Sequence, residues 1–538
     1  MCGNSFTHKA SESRFDEVKR TKHMQKESRV KKTMLNAKIN LICYFASFIT
    51  AFFTRKILLD HLGAEFIGFT GTVGSLLSFL NLAELGIGTA IGYVLYKPIA
   101  DGDKFKINEV ISVFGYLYRI IGLAILTLGI IGSLFLPLIF PDTDIPLGVI
   151  YFGFYSYLAA SMIGYFVNYR AALLSADQRN YIVTGFFQIV GTSKVILQMI
   201  LAICFGSFYI YLAIELIGGI INATILNWKI NQTYPWLKSE IKQGKQVLKK
   251  YPEIIKYTKQ IFAHKVGTLV QFQLTPFLIY SFVSLPMVAM YTNYTILTQK
   301  LEGLISGVIN STGAAIGNLI AEGDQSKTLK VFRELLAIRL FVASLIGICI
   351  YKFASPLVGV WVGDEYILDN TTVALVAILS GLNIARGIID QFIHGNGLYG
   401  DIWAPYVESL IMLSISLACG GTWELPGVLF GPLVSIIAII YIWKPYYLFS
   451  RGFKLSVFKF WKPFVINITA SGVAFWAADY IYETFIHCHI ATDSWAGLVA
   501  NGAIYAIIIV SISSLAYYTA SAGFRDFVHR IKFIKNKS

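Results

Sequence analysis

The residues of this chain that could do chemistry are charged side chains that interrupt long apolar runs. The cations of this kind are Lys38, Arg119, Lys194, Lys265, Lys300 and Arg386, and the carboxylates are Glu84, Glu215, Glu302, Asp390 and Glu408. A charge at the centre of a bilayer costs about 2.5–3.5 kcal/mol on insertion scales, so each one requires a partner or a function. In a hydrated cavity such cations would bind an anionic group, and such carboxylates could take up protons or sodium ions.

The predicted depth of these charges separates two interpretations. Lys194 lies about 20 Å from the inner end of its apolar run, near the bilayer midplane, and Lys300 and Glu302 are similarly deep. Arg386 and Asp390 share a helix face at a spacing of four residues and could simply pair with each other. The other cations lie close enough to the predicted inner surface to snorkel to it, and these are Lys38, Arg119, Lys265 and Arg339.

Several other kinds of chemistry have no counterpart in the sequence. It contains no G-x-x-x-x-G-K-[ST] string, so any energy input must come from a gradient or a partner rather than a built-in ATPase. The six cysteines are scattered without a C-x-x-C, which excludes a disulfide framework or a zinc site. The D-x-D within 141–145 and the His487–Asp493 cluster are interpreted as loop residues rather than metal ligands, so no resident cofactor is expected.

The elements that must carry these charges are membrane-spanning helices. Of 538 residues, 55% are hydrophobic and only 14% are charged, against about 25% in soluble proteins. About 20 apolar residues cross a bilayer core of about 30 Å, and the continuous runs exclude the alternating pattern of a membrane β-barrel. The sequence predicts an all-α polytopic membrane protein with about fourteen spans: 35–54, 66–96, 113–140, 146–167, 181–205, 208–228, 262–283, 286–320, 335–354, 371–393, 402–421, 424–447, 462–485 and 497–521.

The distribution of basic residues predicts the orientation of these spans. Of the 45 Lys and Arg residues, 35 fall in alternate connecting segments that include both termini, counting the flanking Lys444 and Lys462, and only Arg55 and Lys56 fall in the opposite set. Because cytoplasmic loops carry the excess of Lys and Arg, both termini are predicted to be cytoplasmic. The net charge of +14 therefore sets topology and does not indicate nucleic acid. Arg55 would anchor the outer leaflet or meet a ligand on exit.

An internal repeat predicts how the spans are grouped. GTAIG at 88–92 matches GAAIG at 313–317, and IADGD at 99–103 matches IAEGD at 320–324. Six spans per copy would give two pseudo-symmetric lobes of the same orientation. The predicted segments are a basic, disordered tail (1–34), a first lobe (35–228), a basic linker (229–261), a second lobe (262–447), two extra spans (448–521) and a basic tail (522–538). The linker would lie on the anionic inner leaflet or be solvated.

Several strings together resemble a known family. They are KILLDHLGAEFIGFTG followed by LNLAELGIGTAIGYVLYKPIADGD, then RAALLSADQRNYI (170–182), QTYPWL (232–237), GDIWAPYVESLIMLSISLA (400–418) and PGVLFGPLVSIIAIIYIWKPYYLF (426–449). They resemble Wzx-type polysaccharide flippases, a branch of the superfamily of multidrug, oligosaccharidyl-lipid and polysaccharide exporters. The resemblance covers roughly 34–450, and the two extra spans fit fourteen-span members.

The resemblance implies a non-enzymatic flippase of the bacterial cytoplasmic membrane. It would move undecaprenyl-pyrophosphate-linked oligosaccharide units outward between two lobes, for O-antigen, lipopolysaccharide, capsule or exopolysaccharide synthesis, beside polymerases and glycosyltransferases and with no nucleic-acid partner. The cations named above would face the pyrophosphate or acidic sugars, and the carboxylates could couple transport to H⁺ or Na⁺. The alternatives are a multidrug or cation antiporter of the same superfamily and, from another class, a membrane-embedded polymerase or glycosyltransferase.

Overall fold

The structure is a computed structural model of the full chain. The structure describes the backbone of all residues except 1–4, 81–86, 142, 178, 311–315, 318, 321, 399, 487–493 and 536–538. Side chains are described except in those ranges and at 5–34, 36, 37, 40, 79, 80, 89, 90, 93, 100, 253, 257, 260–272, 306–310 and 532–535. Glu84 and the His487–Asp493 cluster therefore lie outside the described residues.

The described residues form helices and connecting turns. The α-helices are α1 (Ser5–Leu80), α2 (Ile87–Asp101), α3 (Lys104–Ser133), α4 (Leu136–Ile139), α5 (Leu147–Val167), α6 (Ala171–Ala176), α7 (Asn180–Phe205), α8 (Phe208–Thr233), α9 (Gly244–Leu248), α10 (Pro252–Phe282), α11 (Leu285–Asn310), α12 (Gln325–Val362), α13 (Asn370–Gly395), α14 (Ala404–Ile436), α15 (Lys444–Tyr447), α16 (Phe458–Phe485), α17 (Trp495–Ala520) and α18 (Ala522–Lys535). Ten stretches among the described residues are long and apolar enough to cross a membrane. The predicted all-α polytopic membrane fold is confirmed.

Backbone bends explain why ten stretches accommodate more than ten predicted spans. The stretch Leu41–Ser78 contains Gly63, whose φ of 79° interrupts the helix between the first and second predicted spans. The stretch Ala404–Gly452 is interrupted at Glu424, with φ 53° and ψ −130°, between the eleventh and twelfth. The seventh predicted span coincides with the second part of α10, and the eighth begins in α11 and extends beyond its end at Asn310. The described helices thus follow the predicted spans in order.

The backbone of 5–34 is helical, whereas the sequence predicts a disordered tail there. It forms the beginning of α1, and Glu, Lys, Arg, Gln and Met, which are good helix formers, are frequent in it. Helical propensity is therefore the physical reason for the difference.

The chain divides into two compact units. Unit 1 comprises 1–61, 83–142 and 146–262. Within it α3 packs on α5, and α8 packs on both α5 and α7. Unit 2 comprises 62–82, 143–145 and 263–538, so it includes the two predicted extra spans. Within it α12 is central, because α13, α16, α17 and α18 all pack against it.

The basic linker folds back onto unit 1. The Lys238 N–H donates to Asn108 Oδ1 (2.9 Å), and the Glu240 N–H donates to Ser112 Oγ (2.8 Å). The Lys250 ammonium lies 2.6 Å from Glu109 Oε1. These contacts hold residues 238–250 against the first turns of α3.

The repeated GD motif forms the same structure in both copies. Gly102 and Gly323 adopt left-handed φ values of 68° and 81°, which glycine tolerates without a Cβ clash. The following aspartates are the N-caps of α3 and α12: Asp103 Oδ1 accepts from the Lys106 N–H and Asp324 Oδ1 from the Lys327 N–H, each at 3.0 Å. The sequence repeat therefore marks the start of corresponding helices.

Candidate substrate-binding and ion-coupling sites

The deepest predicted cation of unit 1 is paired. Lys194 Nζ on α7 lies 2.5 Å from Glu215 Oε1 on α8, and both side chains are about four-fifths buried. Gln198 Nε2 donates to the other carboxylate oxygen (3.2 Å) and to the carbonyl of Tyr211 (3.1 Å). Gly218 leaves room for the lysine stem, since a Cβ there would lie 2.7 Å from Lys194 Cδ. A predicted substrate cation and a predicted coupling carboxylate thus neutralise each other.

Unit 2 contains a larger ionic network on α13, α14 and α15. The Arg386 guanidinium lies 3.7 Å from Asp390 Oδ2 and 3.9 Å from Glu408 Oε1. The Lys444 ammonium lies 2.5 Å from Asp390 Oδ1. Glu408 is 5% exposed. The expected i, i+4 contact of Arg386 with Asp390 is present, but the closer cation for Asp390 comes from another helix.

Two further residues extend this network at its buried side. Arg339, which is 3% exposed, donates from Nη1 to the Ile384 carbonyl at 3.1 Å. The Tyr441 hydroxyl donates to the Leu382 carbonyl at 2.6 Å. Tyr441 also interacts electrostatically with Arg386. Both side chains therefore use backbone carbonyls of α13 to hold their positions beside the ion pairs.

The elements that position Lys444 and Tyr441 are two π-helical segments. They span Ile437–Trp443 and Leu448–Gly452, on either side of α15. The N–H of Lys444 donates to the carbonyl of Ile439, five residues back, which inserts an extra residue into the turn. π-Helical segments are rare in proteins, and those that occur often lie at functional sites. The wider turns rotate the side chains that follow them relative to a regular α-helix.

An apolar groove of about 650 Å³ lies beside the network. It is lined by residues of α12, α13, the first π-helical segment and α16, and these include Tyr441, Trp461 and Phe464. Gly347 and Gly381 also line it, and they let α12 and α13 pack closely, since a Cβ on Gly347 would lie 3.2 Å from the Ala377 carbonyl oxygen. This volume is within the range of about 300–1,000 Å³ that is usual for small-molecule sites.

The other predicted site residues are more dispersed. Lys300 and Glu302 are half-buried on α11, and Glu302 interacts electrostatically with Arg386. Lys38 and Arg119 are exposed on α1 and α3. Lys265 lies in the backbone of α10, and its side chain is outside the described set. The structure thus brings Arg386, Asp390 and Glu408 together within unit 2, and Lys194 and Glu215 together within unit 1.

Sequence reasoning missed Lys444, Tyr441 and Gln198 as members of these clusters. Lys444 was assigned to the topology signal because it follows an apolar run at its predicted inner end. The dipeptide Lys444–Pro445 was a usable signal, since a proline at this position interrupts regular helical hydrogen bonding. Among the described residues, no group of three or more His, Cys, Asp and Glu side chains is arranged to hold a metal ion.

Comparison with known proteins gives similarity of fold. No family model and no curated protein matches the sequence. The structure is similar to the lipid II flippase MurJ in an inward closed conformation, with a TM-score of 0.64 and 14% identity over 89% of this chain and 98% of that one.

Two structures of multidrug resistance MATE family transporters of the MOP superfamily are also similar. The inward-facing one has a TM-score of 0.59 and 14% identity over 78% of this chain and 98% of that one. The outward-facing one has a TM-score of 0.51 and 14% identity over 79% and 94%. The chain therefore has the helical membrane fold that these exporters share.

Proposed function

We propose that this chain moves an anionic, lipid-linked saccharide across the bacterial cytoplasmic membrane by alternating access, without catalysing a covalent step. The observation that carries the proposal is the position of the apolar groove of unit 2 beside the network of Arg339, Arg386 and Lys444, with Tyr441 contributing to both. A polyprenyl-pyrophosphate-linked oligosaccharide joins an apolar chain to an anionic headgroup. The apolar groove matches the apolar chain, and the cations of the network match the anionic headgroup.

The physical problem for such a substrate is its headgroup. A pyrophosphate diester carries about two negative charges, and moving unpaired charges through hydrocarbon is prohibitive. Guanidinium and ammonium groups bind phosphate oxygens with short, charge-assisted hydrogen bonds. The apolar chain has no such penalty and can lie in the apolar groove of unit 2. Binding the two parts at separate surfaces lowers the cost of transfer.

The network is balanced rather than purely cationic, which suggests a coupling mechanism. Arg339, Arg386 and Lys444 face the carboxylates of Asp390, Glu408 and Glu302. A phosphate must compete with these carboxylates for the same cations. Uptake of H⁺ or Na⁺ by a carboxylate would release its cation for the substrate, and loss of the ion would return the cation to the carboxylate.

The fold supports a transporter of this kind. One similar structure is that of a lipid II flippase, and the MATE structures are described as inward-facing and outward-facing. The sequence resemblance to Wzx-type flippases supports a polysaccharide substrate for O-antigen, capsule or exopolysaccharide synthesis. Both termini would then lie in the cytoplasm, as the basic residues predict.

Deletion of the gene in its host tests the proposal. We expect the lipid-linked repeat unit to accumulate on the inner leaflet, surface polysaccharide to be lost, and sugar transfer to the lipid to stay intact. The wild-type chain should restore export, and R386Q should restore less than a tenth of it at equal expression. A matched control is K459Q, which removes an exposed lysine in the first turn of α16, just before the thirteenth predicted span.

Two other results would replace this proposal. If surface polysaccharide were unchanged and sensitivity to cationic drugs rose, the chain would be a multidrug or cation antiporter. If lipid-linked units still reached the outer face and only polymer length changed, it would be a polymerase or glycosyltransferase.

A further inference from the structure

A second cavity of unit 2, of about 620 Å³, is formed by aromatic residues and a buried carboxylate. Its lining includes Asp401, Trp403, Trp443, Tyr446, Tyr447 and Arg451. We shall call these six residues the aromatic pocket. They come from the turn before α14 and from α15 with its flanking π-helical segments. The ionic network and the apolar groove use none of them.

The aromatic rings pack into a continuous surface. The Trp403 and Trp443 rings lie 4.6 Å apart between centroids, and Trp443 and Tyr447 are nearly parallel (14°) at 5.9 Å. The Gly400 N–H donates to the Tyr447 hydroxyl at 3.2 Å and fixes that ring. Outward ring area remains, since Trp403 is 43% exposed.

Two polar groups of the pocket bear on what it could bind. Asp401 is 5% exposed and lines the cavity. Trp443 Nε1 is buried and has no acceptor among the described residues. A buried polar group without a partner costs about 1–3 kcal/mol, which favours a ligand that supplies the missing bonds. That ligand must donate to a carboxylate and accept from an indole.

We infer that the aromatic pocket binds a saccharide. A pyranose has an apolar C–H face that stacks on Trp and Tyr rings, and hydroxyl groups at its edge that both donate and accept. The Asp401 carboxylate would accept from two hydroxyls, while Trp443 Nε1 and the Arg451 guanidinium would donate to others. The inference deepens the proposed function, on which it rests, by assigning the sugar part of the substrate to named residues.

The predicted orientation places this pocket where such a saccharide would be loaded. Segment 394–401 and Lys444 lie on the predicted cytoplasmic side, where the sugar unit is linked to its lipid carrier in the proposed function. Trp443 and Lys444 are consecutive, so ligand binding at the pocket acts next to the Lys444–Asp390 ion pair. A saccharide would thus be sensed by the helix that holds the charge network.

The test is binding of simple glycosides to the full-length chain in nanodiscs of phosphatidylethanolamine and phosphatidylglycerol. The probes are the methyl glycosides of glucose, galactose, N-acetylglucosamine and glucuronic acid, followed by saturation-transfer NMR. We expect saturable binding of at least one glycoside, weakened at least tenfold in D401N and in W403A. W403F, which keeps a ring, should weaken it less. The matched control is W476A, because Trp476 is 72% exposed and stacks on Tyr480 elsewhere in unit 2.

Three results would overturn the inference: no glycoside binding by the folded wild-type chain, unchanged binding in both D401N and W403A, or quenching of Trp403 by brominated acyl chains. The last would make the aromatic pocket a membrane anchor, as Trp and Tyr often are at the interface. The two proposals fail separately. Glycoside binding with unaltered surface polysaccharide after gene deletion would retain the pocket and reject the flippase. If the gene deletion abolished export but D401N and W403A still flipped the substrate normally, the flippase would be retained and the saccharide pocket rejected.

Discussion

At the scale of single residues, five of the charges inside the apolar runs have charged partners: Lys194, Glu215, Arg386, Asp390 and Glu408. Their depth was readable from the sequence, but their partners were not, because a partner on another helix depends on packing. Lys194 and Glu215 are 21 residues apart and meet only because α7 packs on α8. Arg386 and Asp390, by contrast, are within one turn of α13, and their contact follows from helical spacing alone.

The pair of Lys194 and Glu215 is best tested by a double-mutant cycle. K194Q and E215Q should each destabilise the chain by about 1–3 kcal/mol, since each leaves a mostly buried charge without its partner. The double variant K194Q/E215Q should lose less than the sum, because no unpaired charge remains. Thermal unfolding in nanodiscs measures this. Additive losses would mean that the ion pair contributes nothing.

Export separates a structural role of Lys194 from a role in substrate binding. If Lys194 binds substrate, K194Q and the stable K194Q/E215Q should both reduce export, as should K300Q. If restored stability restores export, then Lys194 serves the fold, and the substrate cations are those of unit 2.

The network of unit 2 gives a prediction about the ion pair of Lys444 with Asp390. K444R retains the cation that faces Asp390, whereas K444Q leaves Asp390 with only the longer contact to Arg386. We expect K444Q to reduce export at least tenfold and K444R to reduce it less. Accumulation of lipid-linked intermediate, at matched protein levels, is the measurement. Equal export by wild type and K444Q would remove Lys444 from the mechanism.

At the scale of elements, the repeat was readable from the sequence, but the helix starts that it marks were not predicted. The predicted spans begin at 113 and 335, whereas α3 and α12 begin at Lys104 and Gln325, directly after the capping aspartates of the GD repeats, because the polar first turns of these helices do not count in an apolar run. The π-helical segments at 437–443 and 448–452 were not predicted. An apolar run has the same composition in either helix type, so the extra residue in the turn, and with it the position of Lys444, needed the structure.

The two N-caps should act alike when removed. D324A should destabilise the chain by about 0.5–2 kcal/mol, since the Lys327 N–H loses its acceptor, and D103A should act in the same direction. The Lys106 N–H holds the pKa of Asp103 below its ordinary value. The stabilisation by Asp103 is therefore present above the ordinary aspartate pKa and is lost as the pH falls through the lowered one.

Thermal unfolding between pH 7 and pH 3 measures this dependence. The difference in Tm between wild type and D103A should shrink with acid, while D103N, which can still cap without a charge, should keep a constant difference from D103A. A difference that grows with acid would contradict the cap.

At the scale of the whole molecule, the segments after the predicted second lobe are integrated into unit 2 by ion pairs. Lys352 of α12 lies 2.6 Å from Asp479 of α16, also contacts Glu483, and lies 5.4 Å over the Tyr482 ring. Arg530 of α18 lies 2.8 Å from Glu334, which is 2% exposed. The composition predicted that these segments exist. Their attachment to α12 was not predictable, because each pair joins residues more than 120 positions apart.

This attachment makes the C-terminal helix a structural part of unit 2. R530A should destabilise the full-length chain by about 1–3 kcal/mol, because the buried Glu334 carboxylate loses its cation. E334Q/R530A should recover part of that loss, since an amide is less costly to bury than an unpaired charge. K330A is the matched control: its pair with Asp526 is exposed at 3.6 Å, so its removal should change stability by less than about 1 kcal/mol. If R530A and K330A unfold at the same temperature, the ion pair of Arg530 with Glu334 does not stabilise unit 2, and α18 is not a structural part of it.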